Sequence, residues 1–428
     1  MGAKRHNRFI MKNCHLKFLL LVALLFTVAT GNTYAETDNG TCGENVHWVF
    51  DSDNGSLLIV GNGAIADYTR ESVPWNAYSS KIESVTIYRG ITRIGRYAFW
   101  KCNNLKKITV PPTVSTVGAD AFYNCRSLTA VNISDITSWA GIEFENAYAN
   151  PLSYAQNLYL DKELVTSVVL PDGVTRIGSN AFYNCTSIST FTMPQSVTSL
   201  GDKALANCKG LKSVIIPSSV KTMGNSVFAN CTGELHINCD IPNGKFIQEG
   251  EFFLSPFKDS RFTSIIIGDG VKSIGSHAFY NCSDLKNIVI PNSVKTIGPS
   301  AFRACRALAS VAFPDGISTI GDFAFAHCIG LTSVSLSTSI KEIGVAAFRD
   351  CCLLSSITIP AGVTRVGDFA LEGCISLESI VVDPANKVFD SRDNCNALIE
   401  TKSNILTFGC KNTIIPNSVM GVDERAFY

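Results

Sequence analysis

The stretch Ile94-Gly95-x-x-Ala98-Phe99-x-x-Cys102-x-x-Leu105-x-x-Ile108-x-Val110-Pro111-x-x-Val114 decides the fold, because the same phrase returns down the chain. It recurs as Ile274-Gly275, Ala278-Phe279, Cys282, Leu285, Ile288, Ile290-Pro291 and Val294. It recurs again as Ile297-Gly298, Ala301-Phe302, Cys305, Leu308, Val311, Phe313-Pro314 and Ile317. Ten cysteines mark the period: Cys102, Cys125, Cys185, Cys208, Cys231, Cys282, Cys305, Cys328, Cys351 and Cys374. Seven of the nine steps between them are 23 residues, and the other two, 60 and 51, are one period plus 37 and plus 28. Such a period specifies a solenoid, in which a coil buries its apolar face only against its neighbours.

The phrase also predicts one coil. Leu-x-x-Ile-x-Val ends in period-two alternation, a short strand with its apolar residues inward. Proline follows and stops it, having no N–H for a ladder. Gly95, Gly118 and Gly178 are expected at tight corners. Ala-Phe-x-x-Cys has three-residue spacing, which suits a short helix or turn inserting Phe and Cys into the core.

The chain has 428 residues, 46% hydrophobic and only 17% charged, so it has material for a core and lacks the signature of disorder. Its 36 basic residues balance 36 acidic ones, which gives no long-range field for nucleic acid. Residues 1–35 hold five of the basic groups (Lys4, Arg5, Arg8, Lys12 and Lys17) and no acid, so the remainder has 31 basic against 36 acidic residues. An apolar run from Phe18 to Val28 follows, then small residues to Thr33-Tyr34-Ala35, the pattern of a cleaved export signal. The run is short for a membrane span and no second stretch approaches one, so an exported protein without a transmembrane anchor is expected. Met11 is an alternative start, since Met11–Ala35 has the whole tripartite shape.

The repeat resembles Leu-x-x-Leu-x-Leu, the leucine-rich repeat, in the 23-residue form of BspA-like bacterial surface proteins of Bacteroides type. The resemblance covers most of the chain. Cys42-Gly43-Glu44-Asn45-Val46-x-Trp48, Gly55-x-Leu57-x-Ile59-x-Gly61-x-Gly63 and Pro74-Trp75 are similar to that family's N-terminal cap. Trp139-x-x-Ile142-x-Phe144 with Asn150-Pro151-Leu152, and Asp390 to Ala397, are similar to its longer segments. The resemblance implies an α/β repeat: a leucine-rich-repeat solenoid with one short parallel strand per coil and short helices or turns on the convex side, preceded by a small β-rich cap. It also implies cell-surface adhesion to host matrix proteins or other microbes.

The expected organisation is a removed signal peptide over 1–35, a β-rich cap over 36–79 and a solenoid over 80–428. Longer irregular coils are expected near 131–167, 232–259 and 383–415. The chain ends at Arg425-Ala426-Phe427-Tyr428, midway through the phrase, where a capping coil would be expected.

No catalytic, cofactor-binding or metal-binding residue is singled out, and no enzyme is expected. Ladder cysteines in adjacent coils have parallel Cβ vectors, which suits a disulfide poorly, and their apolar neighbours mark small buried hydrophobes. Off the ladder stand Cys42, Cys239, Cys352, Cys395 and Cys410; Cys395 with Cys410 is the best disulfide candidate, and either state is open. Cys-x-x-Cys is absent, and His47, His236, His277 and His327 are far apart in the array, so converging metal ligands are missing. Gly-x-Ser-x-Gly is absent, and Asp51/Asp53 and Asp390/Asp393 lie in turn-like segments that suit solvated turn formers. Asn184-Cys185-Thr186 and similar glycosylation sequons coincide with the buried ladder.

Two surfaces remain for binding. The outward strand positions run Lys106, Lys107, Thr109, then Thr129, Ala130, Asn132, through Lys212, Ser213, Ile215 and Lys286, Asn287, Val289. They end in Thr332, Ser333, Ser335 and Ser355, Ser356, Thr358, a small polar face weakly basic at one end. The rival is the aromatic set of the irregular coils: Trp139, Phe144, Tyr148, Tyr154 and Tyr159, and Phe246, Phe252, Phe253 and Phe257. Packing of the irregular coil is the simpler role for these rings, and any exposed one would be a binding anchor. A protein-binding surface protein is therefore expected, with a glycan-binding or structural envelope protein as the alternative.

Overall fold

The computed structural model describes residues 37–247 and 252–427; the leader expected over 1–35 lies outside the described residues. The chain winds into a parallel β-solenoid of about 13 turns with little helix. It starts with three antiparallel strands, Thr37–Gly43, Val46–Asp51 and Ser56–Gly61. Ser56–Gly61 then pairs in parallel with Ser84–Ile87, and the sheet continues through Lys107–Thr109, Ala130–Ile133 and Leu158–Leu160. There a hairpin turns the chain back into Glu163–Leu164, and the eight-stranded sheet ends. A second, six-stranded parallel sheet begins at Ser167–Val169 and runs to Asn287–Val289. Register advances by one coil at a step, for example Ser167 to Thr190 to Ser213.

Two further ladders tie coil to coil. Two-residue strands such as Arg176–Ile177 and Ser199–Leu200 pair after each proline turn. On the opposite side the turn residues bond in parallel: Phe99 N–H donates to Ala121 O at 2.8 Å, and Lys101 N–H to Tyr123 O at 2.9 Å.

The core is a phenylalanine spine. Phe257, Phe279, Phe302, Phe325 and Phe348 are fully buried and stack at centroid distances of 4.9, 5.2, 5.1 and 5.7 Å. The ladder cysteine serves the same stack. The Phe302 carbonyl accepts the Cys305 N–H at 3.2 Å and the next coil's Cys328 thiol at 3.2 Å. Phe279 and Cys305, Phe325 and Cys351, and Phe348 and Cys374 repeat the thiol bond at 3.3 Å. A cysteine here is a small apolar residue with one weak donor that reaches a carbonyl of the preceding coil. All fifteen described cysteines are free thiols. Cys395 and Cys410 are not joined; Cys410 Sγ donates to Asn396 O at 3.1 Å, and Cys395 packs with Ala397, Ile399 and Leu406.

The Ala-Phe-x-x-Cys segment forms consecutive turns, and backbone conformation is the reason. In each regular coil the residue before Ala and the residue before Cys have positive φ, so no helix propagates. Asn124, Asn184, Asn207, Asn230 and Asn281 fill the second slot, but so do Lys101, Ala304, His327 and Asp350. The phrase glycines have another role than the expected corner. Gly178 and Gly201 lie outside the positive-φ set. A Cβ on Gly178 would sit 2.0 Å from Ile142 O, and one on Gly201 would sit 2.4 Å from Ser179 N. Glycine is needed there because adjacent coils touch backbone to backbone.

Where a coil lacks the phrase, a side chain replaces its missing backbone donor. In regular coils the Phe N–H reaches the next coil's Ala carbonyl. Trp75 Nε1 donates to Ala98 O at 2.9 Å, Trp139 Nε1 to Ala181 O at 2.9 Å, and Ser255 Oγ to Ala278 O at 2.9 Å. Trp139 rides on the helix Ile136–Gly141, whose N-terminus Asp135 caps by accepting from the Thr137 and Ser138 N–H groups at 3.1 and 3.0 Å. The last irregular coil pairs Phe389–Asp390, Leu398–Glu400 and Ile405–Phe408 antiparallel, and Gly421–Val422 adds in parallel.

Candidate binding surfaces

Most chemistry-bearing side chains are occupied in holding coils together. The carboxylates of Asp67, Glu145, Asp202 and Asp322 accept N–H bonds from Arg96, Ala119, Asn225 and Val345, each the residue after a neighbouring coil's glycine. Asp390 grips Arg392 through two bonds, Nε to Oδ1 at 2.7 Å and Nη2 to Oδ2 at 2.6 Å. Burial acts to raise its pKa, but the Arg392 and Thr401 bonds outweigh it and hold the carboxyl below its ordinary value. His327 lies 3.1 Å from Asp350, and His236 lies 2.5 Å from Glu234. Among the described residues no group of three or more His, Cys, Asp or Glu is placed to hold a metal ion. Burial pushes the thiols of Cys102, Cys282 and Cys328 up to about 12, so they are protonated and inert as nucleophiles at neutral pH.

The strand face carries the outward row that the alternation predicts. Thr86, Thr109, Asn132 and Tyr159 occupy one register line across the first sheet, and Ser84, Lys107 and Ala130 the next. Lys106 lies off this line, paired with Glu83 at 2.7 Å. In the second sheet the line reads Val169, Thr192, Ile215, His236, Ile266 and Val289. Its three most apolar open members are Val169 (66%), Ile215 (50%) and Val289 (56%), and Thr192 is exposed with them.

Near the start of the first sheet the face deepens into a bay of about 810 Å³. Its floor is Thr86, Thr109, Asn132 and Lys107, and its sides are Tyr88 with Arg89 and the hairpin tip Asp161-Lys162. Tyr88 packs beside Val49, Val60 and Leu58 on the outward side of the first strands. The basic end of the stripe is thus joined by two cations that sequence spacing could not align with it. Arg89 and Lys162 lie in loops, outside the strand period.

The insertion aromatics divide. Trp139 and Phe144 are buried and 5.4 Å apart, and Phe257 is a member of the spine. Phe246, Phe252 and Phe253 fall in a two-stranded antiparallel pair, but their side chains lie outside the described residues. Tyr148 is open (43%) and belongs to a second stack on the turn face. Trp100 and Tyr123 stack at 4.4 Å, Tyr148 meets Tyr123 edge-on at 5.0 Å, and Tyr154 follows at 6.2 Å. Arg70 sits 4.7 Å over Trp100. Arg70 and Tyr123 thus both pack against the Trp100 ring. A signal for it exists in the sequence: Trp100 and Tyr123 hold the same slot one period apart, just after the spine Phe.

Among the described residues no helix is long and apolar enough to cross a membrane. The family model described as BspA type leucine-rich repeat region matches residues 75–151, 153–284 and 254–378, in six copies. No curated protein matches the chain. A leucine-rich cell surface protein of Faecalibacterium prausnitzii is 24% identical and similar over 81% of this chain and 95% of its own, with a TM-score of 0.40. A leucine-rich repeat protein of Eubacterium ventriosum is 20% identical over 82% and 92%, with a TM-score of 0.40. One of Bacteroides ovatus is 19% identical over 80% and 99%, with a TM-score of 0.35.

Proposed function

The chain belongs to the BspA-type leucine-rich-repeat family, and from that premise we propose that it is an exported cell-surface protein that binds other proteins through its strand face. The observation that carries this reading is the line Val169, Ile215, Ile266 and Val289, an outward apolar row held in fixed register by a rigid parallel sheet. Rigid apolar positions set among small polar ones suit a protein partner, because little side-chain entropy is lost on contact. The leader pattern over 1–35 supports export, and partners are then extracellular or cell-surface proteins of a host matrix or other microbes. In the same reading residues 36–79 act as the N-terminal cap, the three antiparallel strands shielding the first coil of a solenoid over 80–428.

The test is a binding screen of the full chain against extracellular-matrix and microbial surface proteins. The expected result is saturable binding that persists in high salt and weakens at least tenfold in an Ile215→Ser/Val289→Ser variant. Folded protein that binds none of them would reject the adhesion reading in favour of a structural envelope role.

A further inference from the structure

The bay at the start of the strand face is charged, walled and unoccupied by the protein's own side chains. Arg89, Lys107 and Lys162 line it, all three exposed, and none forms an ion pair among the described residues. Lys106, Arg93, Arg176, Arg261, Arg349 and Arg392, by contrast, have carboxylate partners. Asp161 is the one acid that lines the bay, leaving it with two net positive charges. The register lines that continue this face in the second sheet, Val169 to Val289 and Ser167 to Asn287, carry no lysine or arginine, although Lys212 and Lys286 stand just before two of its strands.

The hairpin that forms one wall places Lys162 at the bay. Tyr159 pairs with Leu164 and Leu160 with Glu163, leaving the two-residue loop Asp161-Lys162. Both loop residues have positive φ, 48° and 76°. Tight loops of this kind favour Asn-Gly, because a lysine side chain in the left-handed region costs about 1–2 kcal/mol. Lys162 holds that left-handed position, as Lys101 and Lys203 do elsewhere, and it lines the bay.

We propose that the bay binds an acidic polysaccharide, a chain bearing sulfate or uronate groups at sugar spacing. The floor offers hydroxyl and amide groups from Thr86, Thr109 and Asn132 for sugar hydroxyls. Three cations line one bay of about 810 Å³, which suits several charges along a chain better than one carboxylate. A polypeptide is the poorer fit. The floor of the bay has no exposed aliphatic anchor for a peptide side chain. This site is separate from the apolar line at Ile215, so each can fail without the other.

The test is calorimetric titration of the full chain with a heparin hexasaccharide, with neutral dextran and poly-glutamate as comparison probes. Saturable heparin binding is expected, with log affinity falling about threefold as steeply as log salt rises, one ion released per cation. Lys107→Gln and Arg89→Gln should each weaken binding at least fivefold and lower that slope by about one. Lys162→Gly should raise the thermal midpoint by relaxing the loop yet weaken heparin binding, a split that a purely structural lysine would not give. Lys212→Gln, outside the bay, should change nothing. Heparin binding that is equal in the Arg89, Lys107 and Lys162 variants, or absent, would overturn the proposal. Tighter binding of poly-glutamate would overturn it in favour of an acidic polypeptide.

Discussion

Ala301 and Ala304 lie three residues apart in one coil, and replacing each by glycine should give different results. Ala301 has ordinary negative φ and is fully buried, whereas Ala304 has φ of 63° and is 8% exposed. Removing either methyl forfeits about 0.8 kcal/mol of burial. Glycine also frees the unfolded chain, costing a further ~0.4–1 kcal/mol. Ala301→Gly should therefore lose about 1.5 kcal/mol. At Ala304 the same losses are offset by relief of left-handed strain, about 1–2 kcal/mol for an L-residue, which leaves that variant near neutral. The backbone bond from Ala304 N–H to Ala326 O at 2.8 Å survives in both. Urea unfolding under reducing conditions, followed by far-UV circular dichroism, gives the difference. Because the two variants share one coil, incomplete cooperativity along the array affects both alike. Equal losses would refute the reasoning, for they would mean that the slot before each cysteine carries no strain.

Trp75→Phe should cost about 1–3 kcal/mol, because it strips the donor from the buried Ala98 carbonyl; Trp48→Phe should cost less, since Trp48 Nε1 is buried without a partner. Thermal melts of the two variants provide the check. Gly201→Ala should lower the melting midpoint sharply, as its Cβ would stand 2.4 Å from Ser179 N, while Gly141→Ala, with open space around its Cβ, should not. The buried thiols set a pH limit: their folded pKa lies near 12 for Cys102, Cys282 and Cys328 against an ordinary 9.0. Folding therefore gains nothing from pH change below 9, and stability should fall as pH rises from 9 towards 12, by up to about 1.4 kcal/mol per unit per thiol; a flat melting midpoint across that window would contradict it. In native protein at pH 8, a thiol-specific chromogenic reagent should label Cys352 and Cys410, the two partly exposed cysteines, well before any ladder cysteine.

The parts of this fold that repeat were legible in the sequence, because burial forces the same residue into the same slot of every coil. Leu105, Ile108 and Val110 point inward as the two-residue alternation requires, and Phe99 and Cys102 enter the core as their spacing requires. What escaped was set by backbone contact between coils. The glycines read as corners, yet Gly178 and Gly201 are fixed by a carbonyl or amide of the neighbouring coil, a contact that local spacing does not reveal. The left-handed slots were hidden because Lys101, His327 and Phe323 occupy positions where asparagine or glycine would have announced them. On the surface, the strand stripe gave Lys107, Thr109 and Asn132, but Arg89 and Lys162 come from loops whose paths depend on the irregular coil. The turn-face stack sits in the slot that follows each phenylalanine, which the two-residue strand alternation does not mark.

The irregular coils explain how an otherwise monotonous scaffold acquires distinct places. A regular coil can only repeat its neighbour's outward residues in register, which produces rows and no hollows. The segment 131–167 breaks that rule in two ways. Its helix sends Trp139 into the core to supply the donor that its missing phrase would have given Ala181, so the spine and ladder continue through the interruption. Its hairpin, relieved of that structural duty, closes the first sheet and raises Asp161-Lys162 above the face. The side-chain donor on one side of the coil is thus what permits the wall on the other. Trp75 and Ser255 make the same substitution for the coils before Ala98 and Ala278. In a solenoid of this kind, an indole or hydroxyl bonded to the spine alanine's carbonyl marks a coil free to depart from the repeat, and the departing surface is where a binding site is built.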